Sequence, residues 1–315
     1  MNDMMKAARI HEYGDPDVLK FEDAPRPSPA DGEVLVKVQA VGINPVDWKT
    51  RAGHGMYSQD SSLFPLIIGW DISGVVEAVG TNANKFKVGD EVFGMVRFPN
   101  IGAAYAEYVA APQTDLALKP QNINFIEAAA YPLVTLTAWQ ALFEAENLVK
   151  GERLLIQGAA GGVGHLAVQL AKWKGATVIG TGSSNNIDFL RELGVDQVVD
   201  YSTTRFEDVV EPVDVAFMCA GGDLLTRSFA VIKESGRLVS IAGKPDAAEA
   251  LKHHIKADSI LVRPVEDHLA QIASLIESGD LKTVVTKTFS LADAAKAHAF
   301  AESRDLRRGK IVLTV

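Results

Sequence analysis

The chain has 315 residues, 47% of them hydrophobic and 23% charged, with a formal net charge of −9 and one cysteine, Cys219. That length suits about two domains of ordinary globular composition. The acidic balance argues against a nucleic-acid partner, and no apolar run approaches the roughly 20 residues of a membrane span. A lone cysteine supports neither an internal disulfide nor a cysteine-based zinc cluster. The N-terminus has no long apolar core after its charge, so the expectation is a cytoplasmic protein without a signal peptide.

In chain order, Lys6 to Ile10 and Val34 to Val41 read as strands, the second alternating at Val34, Val36 and Val38. Asp15-Pro16 and the run from Pro25 to Pro29 are loop material. Val75 to Val79, Glu91 to Val96 and Tyr105 to Val109 add short strands between glycine turns such as Val88-Gly89-Asp90. This stretch, up to about Asn124, is an irregular all-β unit. Phe125 to Trp139 is helix-like but interrupted by Pro132.

The character then changes. The apolar run ending at Gln157 meets the turn Gly158-Ala159-Ala160-Gly161-Gly162-Val163-Gly164, and His165 to Lys174 follows at helical spacing. Strand, glycine turn and helix in that order form a site for a pyrophosphate. Missing Cβ atoms let the backbone approach the ligand, and the helix start offers unpaired N–H groups with partial positive charge. Further strands at Ala176 to Thr181, Val198-Val199, Val213 to Met218 and Arg237 to Ile241 alternate with a helix at Asp188 to Leu193. The predicted fold class is therefore α/β, with a Rossmann-type doubly wound parallel sheet binding a dinucleotide. Beyond it, Glu266 to Glu277 and Leu291 to Glu302 read as helices, and Thr283 to Phe289 and Gly309 to Val315 as strands.

Several segments together carry a family resemblance. Gly42 to Arg51 (GINPVDWKTR), Gly69 to Val76 (GWDISGVV), Leu136-Thr137-Ala138-Trp139, the glycine turn and Gly309-Lys310-Ile311-Val312 stand in the order found in medium-chain dehydrogenases/reductases. The chain resembles their zinc-independent quinone oxidoreductase (zeta-crystallin-like) branch over nearly its whole length. The resemblance implies a GroES-like catalytic domain over residues 1–124, completed by 262–315, with the Rossmann domain over 125–261. It also implies an active site in the cleft between them and a homodimer. Zinc alcohol dehydrogenases of the superfamily carry a cysteine where Asn44 stands, a histidine at Trp70 and a further ligand near Leu133. An indole is no normal zinc ligand and an amide is a poor one. Without a Lewis acid the acceptor itself must spread the charge that arrives with hydride, as quinones and α,β-unsaturated carbonyls do.

The expected cofactor is NADPH, with its pyrophosphate over Gly161, Gly162 and Gly164 and further contacts from Gly158, Ala160 and Val163. Thr137, Ala220 and Gly243 are placed around the nicotinamide, and Lys310 against the cofactor. Gly182 ends the second strand of the sheet, where NAD enzymes carry a ribose-binding acid. Ser183, Ser184 and, by the resemblance, Tyr201 would meet a 2′-phosphate. A lysine common in the family is here Asn186, which moderates the expected preference. Asn44 and Lys49 are candidate donors to the substrate oxygen, and Tyr57 is the reserve. Other readings stay open: Asn44 as a turn residue, Asp47, Lys49 and Arg51 as a solvated loop, Tyr57 as loop packing. Asp71 is read as organising the loop, Trp70 as a wall of the cleft, His165 as a helix-start or exposed residue, and Cys219 as a buried inert thiol. The functional alternatives are a metal-free carbonyl reductase and a low-turnover NADPH-binding sensor or structural protein.

Overall fold

The computed structural model describes residues 3–57, 60–303 and 308–315. In the first part of the chain the strands are β1 (Met4–Ile10), β2 (Lys20–Pro25), β3 (Glu33–Ile43), β4 (Leu66–Ile67), β5 (Asp71–Val79), β6 (Glu91–Met95), β7 (Tyr108–Pro112) and β8 (Leu116–Leu118), with helix α1 (Pro45–Arg51) after β3. Helices α2 (Phe125–Ala129) and α3 (Pro132–Trp139) lead to β9 (Arg153–Gln157), α4 (Gly164–Lys174), β10 (Thr177–Gly182), α5 (Ile187–Glu192), β11 (Gln197–Asp200) and β12 (Val213–Met218). Next come α6 (Leu224–Ser228), β13 (Ile232–Ser240), α7 (Ala247–Lys252), β14 (Lys256–Ser259), α8 (Glu266–Ser278), β15 (Val285–Ser290), α9 (Ala294–Glu302) and β16 (Lys310–Thr314).

The middle strands form a parallel sheet in the order β11-β10-β9-β12-β13-β14. The order reverses between β9 and β12, so the turn after β9 opens at the crevice where such sheets bind ligands. The second sheet runs β15-β16-β3-β5-β6-β8, with β7 also on β3. Its members come from both chain ends: β16 pairs antiparallel with β3, placing Ile311 opposite Ile43 and Val312 opposite Gly42. A three-stranded sheet, β2-β1-β4, packs beside it.

The helical reading of Phe125 to Trp139 holds, with the break at Pro132. Proline has no N–H for the preceding turn, so α2 ends and α3 restarts with Pro132 in its first turn. By its contacts α2 belongs to the first unit, against the expected boundary at residue 125. Ser73 donates to the Phe125 carbonyl at 2.6 Å, and a Cβ on Gly42 would stand 2.1 Å from the Ala129 carbonyl. All eight residues of α3 are buried. A helix apolar all round is a core element, and this one sits between the units, sharing a core with Trp70 and Phe93 on one side and Leu154, Ile156 and Phe217 on the other. The strand expected at Tyr105 to Val109 begins later, at Tyr108, because Tyr105 instead exchanges backbone bonds with Ile68 and Ala8.

His165 is fully buried in the first turn of α4, which favours the helix-start reading over the exposed one. Its Nδ1 lies 3.0 Å from the Gly161 carbonyl, which can only accept, so Nδ1 carries the proton. Nε2 then accepts from the Thr283 hydroxyl at 3.2 Å, tying the glycine turn to the segment before β15. Burial pushes the imidazole down to about 4. Between about pH 6.5 and that value the unfolded chain binds a proton that the folded one refuses, so this group's contribution to stability falls as pH falls. His165→Gln can keep both hydrogen bonds without titrating. Urea unfolding at pH 7 and pH 4.5 should show the wild type losing about 2–3 kcal/mol more than the variant over that interval; equal losses would refute the assignment.

Candidate active site

Between the two units lies a cleft of about 530 Å³. One wall is the glycine turn, with Gly158, Gly161, Gly162, Val163 and Gly164. The opposite wall is the end of β3 and the start of α1, with Ile43, Asn44, Pro45, Trp48 and Lys49. The C-terminal strand enters between them, and Arg308, Gly309 and Lys310 line the cleft as well.

The glycines of the turn have different tasks. Gly158 has φ +80°, a conformation side chains rarely adopt. A Cβ on Gly164 would lie 2.3 Å from the Gly158 carbonyl, so that position is closed by the protein itself. A Cβ on Gly161 would meet only the Gly158 carbonyl, at 3.4 Å, and otherwise projects into open space. The cradle thus keeps its free side toward the cleft, at the positive end of the α4 dipole, and this fits a dinucleotide pyrophosphate. Ala160 stands behind it and accepts the Gly309 N–H at 3.2 Å.

Asn44 caps α1 from an extended backbone. Its side chain is wholly buried and fully engaged: Nδ2 donates to Asp71 Oδ2 at 2.8 Å, and Oδ1 accepts from Lys310 Nζ at 2.5 Å. The same ammonium donates to the Ile43 carbonyl at 2.7 Å and lies 3.9 Å from Asp71 Oδ2. Strand register explains the meeting, since Lys310 immediately precedes the Ile311–Ile43 pair. Asp71 also accepts the Leu133 N–H at 2.9 Å, so it organises the loop as expected. Burial raises the Asp71 carboxyl to about 6 against the pull of Lys310, and burial lowers Lys310. Asp47 accepts the Asn44 N–H at 2.8 Å, and burial raises its carboxyl as well.

The expected donors therefore separate. Lys49 is exposed, lines the cleft and makes no ion pair among the described residues. Asn44 has its amide committed to Asp71 and Lys310, so in this arrangement it shapes the wall and has no N–H aimed at a substrate. The Tyr57 hydroxyl donates to the Pro99 carbonyl at 2.7 Å, outside the cleft lining, which is the packing reading. Asp47 and Arg51 are not a solvated loop: both are buried, because their partners come from distant segments. Trp70 is buried and donates to the Asn100 carbonyl at 2.6 Å, so it is core and not cleft wall. Cys219 is half-buried and lines the cleft, contrary to the buried reading, because β12 ends at Met218 and leaves it at the carboxyl end of the strands, where the cleft opens.

Of the expected cofactor contacts, Thr137 turns its hydroxyl onto the Leu133 carbonyl at 2.6 Å and stays off the lining. Ala220 and Gly243 stand next to lining residues, Cys219 and Gly221 for the first and Ala242 for the second. Gly182, Ser183, Ser184 and Tyr201 gather where β10 and β11 end, with the Tyr201 N–H donating to the Gly182 carbonyl at 3.1 Å. One group there was missed: Asp200 ends β11 and accepts from the Ser184 hydroxyl at 2.6 Å. Parallel pairing alone reveals that this carboxylate on the neighbouring strand stands beside Gly182 at the end of β10.

The donor set at the superfamily's zinc position is an engaged amide, an indole N–H held by a carbonyl, and a leucine. Such a set does not fit zinc. Among the described residues no three of His, Cys, Asp and Glu gather as a metal site.

A sequence model of the alcohol dehydrogenase GroES-like domain matches residues 30–121, and one described as zinc-binding dehydrogenase matches residues 193–313. The chain is 34% identical to the chloroplastic NADPH-dependent alkenal/one oxidoreductase of Arabidopsis thaliana, covering 98% of this chain and 79% of that one. It is 30% identical to the quinone oxidoreductase of Homo sapiens, covering 98% of each. The solved structure of the quinone oxidoreductase from Coxiella burnetii superimposes with a TM-score of 0.93 at 35% identity, over 99% of this chain and 100% of that one. With the inserted dinucleotide-binding sheet, the two-ended catalytic unit and these matches together, the chain belongs to the quinone oxidoreductase (zeta-crystallin-like) branch of the medium-chain dehydrogenases/reductases.

Proposed function

We propose that the protein is an NADPH-dependent reductase of quinones and α,β-unsaturated carbonyls that works without zinc. The observation that carries this reading is the cleft itself: an open glycine cradle on one wall faces an exposed lysine on the other, which makes no ion pair among the described residues, and among those residues no zinc-type donor set stands between them. NADPH, when bound, supplies the hydride. Gly161 and Gly162 leave room for its pyrophosphate, and Leu133, Val134 and Ile241 make the cleft apolar beside them. The Lys49 ammonium meets the negative charge that develops on the acceptor oxygen, where a preorganised cation is worth most. Asn44 and Lys310 give that wall its fixed shape and a buried positive charge behind it.

A homodimer is supported by β14, which ends the parallel sheet with exposed Leu251 and Leu261 nearby. No helix among the described residues is long and apolar enough to cross a membrane. A reducing, cytoplasmic setting suits the single free thiol.

Three outcomes test this reading. Gly161→Val should fold with a wild-type melting temperature yet lose roughly 100-fold or more in NADPH affinity by calorimetric titration, whereas Gly164→Ala should lower the melting temperature itself. Wild-type affinity in the first variant would remove the cradle from cofactor binding.

The preference for NADPH over NADH should be moderate, because Asp200 places a carboxylate beside Ser184. Asp200→Asn should raise the ratio of kcat/KM for the two cofactors roughly fivefold, because it removes a negative charge beside the 2′-phosphate. An unchanged ratio would place the 2′-phosphate elsewhere.

NADPH oxidation against a panel of quinones, enones and simple ketones should succeed with the conjugated acceptors and survive a chelator. Lys49→Met should lower kcat roughly 10–10³-fold with those acceptors. Wild-type kcat in that variant would clear Lys49, and turnover of simple ketones alone would favour a carbonyl reductase.

A further inference from the structure

Behind the Asn44 turn, on the side away from the cleft, a row of buried polar groups leads to α9. Arg51, the last residue of α1, is 2% exposed. It binds Glu302 through Nη1 at 2.9 Å and Nη2 at 3.1 Å, and it donates from Nε to the Gly14 carbonyl at 3.0 Å. Its Nη1 also lies 3.3 Å from His298 Nδ1. A guanidinium only donates, so Nδ1 is the acceptor, and the single proton of a neutral His298 must sit on Nε2. Nε2 lies 2.9 Å from the Tyr105 oxygen and donates to it. The Tyr105 hydroxyl is then left to donate to Asp47 Oδ2 at 3.1 Å, the same oxygen that takes the Asn44 N–H at 2.8 Å. Every link therefore has one direction, from the Glu302-clamped Arg51 to the Asp47 carboxylate.

We propose that His298 and Tyr105 are positioning residues, forming a one-way hydrogen-bond chain that lets α9 fix the Asp47 carboxylate and through it the Asn44 turn of the cleft wall. Among the described residues Asp47 Oδ1 has no hydrogen-bond partner, so the two bonds to Oδ2 are what hold the carboxylate in place. A buried polar row is costly compared with well-packed apolar side chains, which argues for a role beyond filling space. Burial with Arg51 alongside holds His298 near 3, so the chain keeps its direction throughout the working pH range. The charged groups facing Asp47 are Lys310 from β16 and Asp71 from β5 on the cleft side, and Arg51 and Glu302 stand at the far end of the chain.

The proposal rests on the reading of the Asn44 wall as part of the active site, and its test has an arm that needs no turnover. In 15N-histidine NMR at pH 7, His298 should show the Nε2–H tautomer. In 13C NMR the Asp47 carboxyl should titrate at higher pH in Tyr105→Phe, because the bond that favours its charged form is gone. With a conjugated acceptor, Tyr105→Phe and His298→Leu should each lower kcat roughly tenfold while the KM for NADPH stays within about twofold, and the acid limb of the kcat–pH profile should move upward. His298→Gln, whose amide can accept from Arg51 and donate to Tyr105, should recover kcat to within about twofold. The double variant Tyr105→Phe/His298→Leu should be no worse than either single one, as expected for links of one chain. Should His298→Leu fail to fold, Tyr105→Phe removes a single oxygen and carries the test. A proton on His298 Nδ1, an unmoved Asp47 titration, or wild-type kcat and pH profile in Tyr105→Phe would each overturn the proposal. A wild type that oxidises NADPH with no conjugated acceptor would instead overturn the functional reading, leaving the NMR arm to decide the chain.

Discussion

The bond between Lys310 and Asn44 is the constraint on which the site depends. The last strand of the chain pairs with β3, and its register brings a buried ammonium to the residue that caps α1. Removing an ammonium and a carboxylate from water costs several kcal/mol for each ion, and only good geometry with further hydrogen bonds offsets that. Here Ile43, Asn44 and Asp71 supply the geometry, and Asp71 is satisfied in turn by the Leu133 N–H. The stem of Lys310 also lies against the glycine turn, where a Cβ on Gly162 would meet Lys310 Cδ at 3.4 Å. One side chain therefore runs from the edge of the glycine turn to the Asn44 wall.

The division of charge across the cleft follows from burial. Lys310 and the two aspartates are sealed away, so they act through a fixed field and through the shape they impose. Lys49 is exposed and lines the cleft. A zinc ion would have united these tasks, polarising the acceptor and fixing the wall together. With amide, indole and leucine in its place, a set of side chains anchored from β5, α1 and β16 holds the wall, and a separate cation faces the ligand space.

At the adenosine end, neighbouring strands set the balance. Gly182 leaves the end of β10 without an acid, yet parallel pairing aligns it with Asp200 on β11. The Asp200 carboxylate accepts from Ser184, one of the hydroxyls available to a phosphate there. The surroundings of Ser184 are thus set by a short contact between adjacent strand ends and not by one residue type at one position.

The amino-acid sequence by itself determined the parallel sheet, the glycine turn on α4, the helix break at Pro132 and the absence of zinc-type residues, because each is written in local periodicity or residue chemistry. Edge strands β2 and β14 escaped that reading: one is Lys-Phe-Glu-Asp-Ala-Pro and the other Lys-Ala-Asp-Ser, and a strand with one face in water needs no apolar run. The site was legible as a list of candidate residues but not as an arrangement. Only the tertiary structure decided that Asn44 is occupied, that Tyr57 is turned away, that Asp200 stands beside Gly182 and Ser184 and that Arg51, Tyr105 and His298 join Asp47. These contacts link residues 16 to 266 positions apart. Register and burial create them, and neither is encoded in the spacing of any one segment.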